Sequence, residues 1–360
     1  SGTSSATASA DTSGNYSFSG LANGSYTVTP SNSGFSFNPG SQNVTVNGAS
    51  MPGINFSSAT ATTFSVSGTI SGSGGNGTTV TLSGTATATV TANASGAYTF
   101  TGLNNGSYTV TPSKTGFIFT PASQAVTVAG ANMAAVNFTS TAKLAIDKTV
   151  STDRSSSAAT IASPAFTSAA ANELLLAFIS ADGPTSGTNT TVSSIAGGGL
   201  TWALVRRTNT QIGTAEVWRA FAPAVLTNVT VTATLSSSMA ASMTVVTLTG
   251  VDTTGTGGSG AIGATASGNA SSGAPTASLT TTRNNSWVFG VGDDWDNSIS
   301  RTLGANQTMV HQYLATVGDT YWVQRQTATT PTSGTVVTIN DTAPTGDRYN
   351  LTVVEVLPSL

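Results

Sequence analysis

Two stretches decide the fold: YSFSGLANGSYTVTPSNSGFSFNPGSQNVTVNGASMPGINFSS, residues 16–58, and YTFTGLNNGSYTVTPSKTGFIFTPASQAVTVAGANMAAVNFTS, residues 98–140. They align without a gap at an offset of 82, and 28 of 43 positions are identical. Self-similarity at a fixed period marks repeated structural units. The match runs upstream, where SGTSSATASADTSGNYSF (1–18) pairs with SGTATATVTANASGAYTF (83–100). In the second copy Tyr98, Phe100, Tyr108 and Val110 alternate with small polar residues, and Phe117 and Phe119 are read as pointing inward with them. A period of two means half-buried strands. The Asn-Gly pairs Asn23–Gly24 and Asn105–Gly106 are hairpin-turn signals.

The second copy carries a segment that the first lacks, FSVSGTISGSGGNGTTVTL at residues 64–82. Phe64, Val66, Gly68 and Ile70 alternate as one strand, Gly72 to Gly77 make a turn, and Thr79–Leu82 begin another strand. The chain is therefore expected to open inside a domain, with about two strands missing from its first copy. Residues 1–58 read as an incomplete Ig-like repeat, 59–63 as a linker and 64–140 as a complete repeat of seven short strands, at 64–70, 78–83, 85–92, 97–102, 107–111, 124–128 and 135–139. The expected fold is all-β, with tandem Ig-like or prealbumin-like sandwiches followed by a larger, jelly-roll-like C-terminal β-sandwich over 141–360.

Composition narrows the function. Ser and Thr supply 115 of 360 residues, while charged residues are 7%. The chain is too apolar and too periodic for disorder, and it has no Gly-X-Y period. It has no Cys, so neither a disulfide framework nor a thiolate metal site is available. The net charge is −3 with no basic cluster, so no nucleic-acid partner is expected. No apolar run reaches the ~18 residues of a membrane-spanning helix, so no membrane span is expected either. Up to residue 142 the only charged side chains are Asp11 and Lys114, and this step in composition places the main domain boundary.

The pattern G-x-Y-x-F-x-G-L-x-N-G-x-Y-x-V-x-P followed by G-F-x-F-x-P, present in both copies, resembles the carboxypeptidase-regulatory-like and Cna-B-like modules of bacterial surface proteins. Pilin-type members often carry a Lys–Asn isopeptide bond formed beside a buried carboxylate, and the resemblance raises that question here. The repeats contain one Lys, Lys114, matched by Asn32 in the first copy, and no Glu, so no cross-link is expected; Asn55 and Asn137 recur through repeat identity. The remainder resembles a module of large secreted bacterial proteins through NELLLAF (172–178), GLTWALVRR (199–207), GTAEVWRA (213–220), GDDWDNS (292–298), MVHQ (309–312), GDTYWVQ (318–324) and INDTAPTGDRYN (339–350). That resemblance implies a secreted context and no assigned chemistry. Its segment AAANELLLAFISA has helix propensity but reads as a buried strand among strands.

Candidate sites are few. Asp293, Asp294 and Asp296 in GDDWDNS, with Asp341 and Asp347 in another loop, form an oxygen-rich set of the kind that holds Ca²⁺, the only cofactor considered. The competing reading makes them loop-capping carboxylates paired with Arg301 or Arg348. Asp294 and Asp296 also sit too close along the chain to flank a glycosidase cleft. The single His311 lacks a G-x-S-x-G elbow and reads as a structural imidazole. Of the five tryptophans, Trp202, Trp218, Trp287 and Trp322 read as core, and Trp295 is the candidate for stacking on a sugar ring. Asn-x-Ser/Thr sequons make Asn15, Asn23, Asn43, Asn105, Asn228, Asn306 and Asn350 glycosylation candidates.

An almost uncharged strand edge is poorly defended against pairing, and an open sandwich leaves amides and an apolar groove exposed, which a strand from a neighbouring subunit or from chain upstream of residue 1 would satisfy equally well. The expected function is therefore an extracellular structural protein, not an enzyme. It would be a subunit of a bacterial surface filament or stalked adhesin, its partners copies of itself joined head to tail by β-strand complementation. The alternative is a carbohydrate-binding or adhesive appendage of a larger secreted protein, with surface glycans as partner.

Overall fold

The computed structural model describes residue 2 and residues 4–359. Its first 60 residues hold β1 (Gly24–Val28), β2 (Phe35–Asn38), β3 (Gln42–Val46) and β4 (Ser57–Thr60), paired antiparallel as β1–β3 and β2–β4. The next 82 residues hold β5 (Phe64–Ser71), β6 (Thr79–Gly84), β7 (Ala88–Thr91), β8 (Ala97–Leu103), β9 (Gly106–Ser113), β10 (Phe117–Thr120), β11 (Gln124–Val128) and β12 (Phe138–Ala142). These form two four-stranded sheets in the orders β10-β12-β5-β8 and β11-β9-β6-β7. The alternation seen in the sequence turns Val66, Ile70, Val80, Leu82, Phe100 and Val110 into the shared core. Phe117–Thr120, outside the seven expected segments, supplies an eighth strand by pairing with β12.

The C-terminal region is built from β13 (Ala145–Ala162), β14 (Glu173–Ala181), β15 (Val192–Gly197), β16 (Ala203–Thr208), β17 (Thr214–Ala222), β18 (Val231–Thr249), β19 (Ile262–Ala270), β20 (Thr276–Thr280), β21 (Trp287–Asp294), β22 (Thr302–Leu303), β23 (Gln307–Leu314), β24 (Thr320–Gln326), β25 (Val336–Ala343) and β26 (Tyr349–Val356). A six-stranded sheet runs β13-β18-β14-β17-β16 with β15 added on β18; a five-stranded sheet runs β19-β26-β21-β24-β23; a three-stranded sheet runs β20-β25-β22. The alternation of β14 sends Leu175, Ala177 and Ile179 into one core and Leu174, Leu176 and Phe178 into a second. β26 divides likewise, with Val354 and Val356 in the second core and Leu351 and Val353 in a third. Strands buried on both faces have no polar side to show, which is why NELLLAFISA reads as a continuous apolar run and still forms a strand. The sequence pattern marks strands at 228–235 and 242–250, which join in the single long β18, and marks none at β15, β19, β20 or β22.

Candidate functional site

The offset of 82 lets the two repeats be compared atom by atom. Tyr98 Oη donates to the Val136 carbonyl at 2.5 Å, and Tyr16 Oη donates to the Ile54 carbonyl at 2.6 Å. Tyr98 meets Phe100 and Phe138 at ring separations of 6.0 and 6.4 Å; Tyr16 meets Phe18 and Phe56 at 6.0 and 6.5 Å. Asn105 Oδ1 accepts from the Gly130 N–H at 2.7 Å, as Asn23 Oδ1 does from Gly48. The first copy thus holds the same side-chain geometry as the second.

Its strands stop short where partners are absent. In the complete copy β5 pairs antiparallel with β8 and parallel with β12, and β6 pairs with β9. Among the described residues the first copy has no counterpart of β5, and 15–21, the counterpart of β8, form no strand. The counterpart of β6 is reduced to a single bridge, Gly2 to Tyr26, at the position of the Gly84–Tyr108 pair. β9 runs eight residues and β1 only five, because Thr111, Pro112 and Ser113 are the residues that pair with β6. The place of β5 is an open groove of about 870 Å³ lined by Tyr16, Phe18, Leu21, Val44, Met51 and Ile54. Burial follows. Tyr98 and Phe100 are 4% and 2% exposed, whereas Tyr16 and Phe18 are half-buried and Met51 is 50% exposed.

The acidic motif is arranged differently from a cation site. Asp293 and Asp294 are both buried, and successive residues of a strand point to opposite faces. Asp294 pairs with the Arg301 guanidinium and accepts the Asp296 N–H at 2.8 Å. Asp296 pairs with Arg348 at 2.8 Å, and Asp347 accepts from Asn297. Asp341 lies buried on β25. Arginine pairing and the strand's alternation keep the carboxylates from converging as Ca²⁺ ligands. Among the described residues no group of three or more His, Asp or Glu is placed to hold a metal ion.

Asp293 packs against Gly213, where a Cβ would come within 1.9 Å of its Oδ2. Burial, and then the nearby Asp319 and Asp182 charges, push the Asp293 carboxyl well up. Burial likewise raises Asp319 to about 7, against the Tyr321 hydroxyl that donates to it, and raises Asp341 to about 7 against Arg301 and Gln324. Sequence reading missed Asp182 and Asp319 because only the folded sheets bring them to Asp293.

Trp295 is half-buried, with the Arg348 guanidinium over its ring at 4.7 Å. Trp287 and Trp322 are core residues, and Trp202 and Trp218 pack partly buried against the first C-terminal core. His311 Nε2 lies 2.9 Å from Asp153 Oδ1, which also accepts from Ser242 Oγ at 2.8 Å. The carboxylate therefore stands between hydroxyl and imidazole, the reverse of the order that activates a serine. Lys114 Nζ donates to the Gly74 and Asn76 carbonyls, away from Asn137. Asn15, Asn23, Asn43, Asn105, Asn228 and Asn306 are exposed. Asn350 is a correction. It is fully buried, accepts from the Gln211 N–H and donates to the Gln211 carbonyl, so no glycosyl donor reaches it in the folded chain.

Residues 69–160 match the SdrD B-like domain family, a Cna-B-like Ig fold of bacterial surface proteins. The solved structure of the major pilin subunit of Bacillus cereus is similar over 79% of this chain and 95% of that one, at 11% identity and a TM-score of 0.23. No curated protein matches. Among the described residues no helix is long and apolar enough to cross a membrane.

Proposed function

We propose that this chain is an extracellular structural protein of a bacterial surface, a subunit of a filament or stalked adhesin assembled by β-strand complementation between subunits. The observation that carries this reading is the match of residues 69–160 to a domain family of bacterial surface proteins, in a chain that repeats the same module in tandem. The family match over 69–160 supports a surface setting, and the near absence of charge on the repeats leaves their edges open to pairing. Joining through a groove on one subunit and a strand on the next is heterologous, so it propagates as an open fibre. The exposed sequon asparagines are candidate attachment points for surface glycans. The carbohydrate-binding reading draws less support, because Arg348 covers a face of the Trp295 ring.

Electron microscopy of the purified chain, with light scattering across a concentration series, tests the assembly. Filaments or concentration-dependent oligomers that a Phe18→Asp change abolishes are the expected result. A monodisperse monomer at high concentration overturns the filament reading.

A further inference from the structure

The chain enters the complete repeat through β5 and leaves it through β12, and these two strands lie side by side and parallel. Ile70 stands beside Phe138 and Ser71 beside Thr139, and Val66 bridges Met133 in the same sense. The ladder between them runs the length of β5. Ser67 N–H donates to the Met133 carbonyl and Met133 N–H to the Ser65 carbonyl, both at 2.8 Å, and Val136 N–H donates to the Ser67 carbonyl at 3.1 Å. Side chains fill the gaps. Asn132 Oδ1 accepts the Ser65 N–H and Asn137 Oδ1 the Thr69 N–H, both at 2.9 Å, and Ser140 Oγ donates to the Ser71 carbonyl at 2.7 Å. β10 and β8 flank the pair, so neither strand is an edge of its sheet.

The connectors on either side are short. Residues 61–63 separate β4 from β5, and Lys143 and Leu144 separate β12 from β13. Each connector is tied at the equivalent place, Ala61 N–H to the Gly34 carbonyl at 2.9 Å and Lys143 N–H to the Gly116 carbonyl at 2.8 Å. Leu144 is buried in the second C-terminal core. Tension along the chain therefore reaches the repeat at the start of β5 and at the end of β12. Parallel strands pulled at opposite ends slide past each other, and every bond of the ladder between them carries load at once.

The C-terminal region is attached differently, because its first and last residues meet at Gly250. The Lys143 carbonyl lies so close to Gly250 that a Cβ there would clash with it, Ser359 N–H donates to the Gly250 carbonyl at 2.8 Å, and Pro358 bridges Val251. β13 is an edge strand antiparallel to β18, with Ala145 opposite Thr249. Drawing the two ends of the region apart peels β13 from β18 one pair at a time, so its bonds break singly.

We infer that the complete repeat is a shear clamp that bears tension along the chain, and that the C-terminal region is a pendant unit that yields before it. The inference goes beyond the filament reading and needs no pairing between subunits. Resistance to force is set by the barrier to unfolding rather than by the equilibrium stability. Direction of pull is therefore the variable that separates a clamp from a merely stable domain.

The chain has no cysteine, so introduced thiols place handles at single positions. The test is single-molecule force spectroscopy of the intact chain in three geometries. Thr63→Cys with Lys143→Cys loads β5 against β12 in shear. Thr63→Cys with Asn104→Cys loads the adjoining ends of antiparallel β5 and β8. Thr63→Cys with Ser359→Cys loads the repeat and the C-terminal region in series. The expected result is a rupture force severalfold higher in the first geometry than in the second. In the third, the long C-terminal region extends before the repeat. Asn132→Ala combined with Asn137→Ala lowers the force in the first geometry and leaves the second unchanged. Equal forces in the first two geometries, or a repeat that extends before the C-terminal region, overturns the clamp. An equal drop in both geometries on the double substitution overturns the role of the two asparagines in it. The comparison of handles decides the question whether or not the doubly substituted chain folds.

Discussion

The two repeats share most of their sequence and the tyrosine bridge, yet one has a closed core and the other an open groove. The difference lies in one segment. Where β5 and β6 are present, Tyr98, Phe100, Val110 and Phe138 are almost completely buried. Where their counterparts are lacking among the described residues, the same side chains stand half-covered, the counterpart of β8 forms no strand, and β1 ends three residues sooner than β9. Side-chain geometry in this module is therefore local, held by the Tyr–carbonyl bond and ring contacts. Strand formation depends on the neighbour across the ladder, because an extended backbone gains its hydrogen bonds only from a partner.

The comparison is sharpest in a pair of truncations. Phe100→Ala should cost about 3–5 kcal/mol, as for a buried aromatic in a packed core, and Phe18→Ala about 1 kcal/mol or less. Denaturant unfolding of the two variants checks this, and equal losses would show the first groove to be closed already. Next comes the bridge. Tyr98→Phe leaves the Val136 carbonyl buried without its donor and should cost about 1–3 kcal/mol, whereas Tyr16→Phe, at a half-open site that water reaches, should cost about 0.5 kcal/mol. Hydrogen exchange on β8 and on residues 15–21 separates the two.

A third measurement sets both repeats against the C-terminal region. The repeats hold only Asp11 and Lys114 as charged side chains, so their unfolding should be flat from about pH 5 to 8. In the C-terminal region burial lifts the folded Asp319 and Asp341 to about 7, from an ordinary value of 3.8. The folded state then binds protons more tightly than the unfolded chain. The stability these groups add is complete below the ordinary carboxylate range and is lost as pH rises through 7. Thermal melts should fall with pH for that region, and Asp341→Asn should flatten part of the slope. The smallest effect is a control. Asn105→Ala and Asn23→Ala each remove one 2.7 Å turn bond and should cost about 1 kcal/mol, equally in both copies, because that contact does not involve the missing strand.

Much of the fold was legible. Period-two alternation identified β5, β8, β9 and β11, but the Asn-Gly pair at 105–106 read as a hairpin turn joins β8 and β9, which lie in different sheets and do not pair. β10 escaped because FIFT is four residues without a polar break, and β15, β19 and β20 because VSSIAG, IGATASGNA and TASLT are built from small residues with little contrast between faces. The acidic motif was visible as GDDWDNS, but the partners that decide its chemistry were not. Arg301 and Arg348 reach Asp294 and Asp296 from separate loops, and Asp182 and Asp319 approach Asp293 from the residue after β14 and the residue before β24.

What the amino-acid order determined alone is the repeat, its period, its all-β character and the segment by which the two copies differ. Those properties are carried by neighbours along the chain, through alternation and turn chemistry. What only the tertiary structure decided is which faces are buried twice, which carboxylates are paired with arginine, and how far the side chains shared by the two repeats are covered. Those depend on groups far apart in sequence meeting across a ladder or between sheets. Burial and hydrogen-bond satisfaction belong to that meeting and to no single stretch of residues.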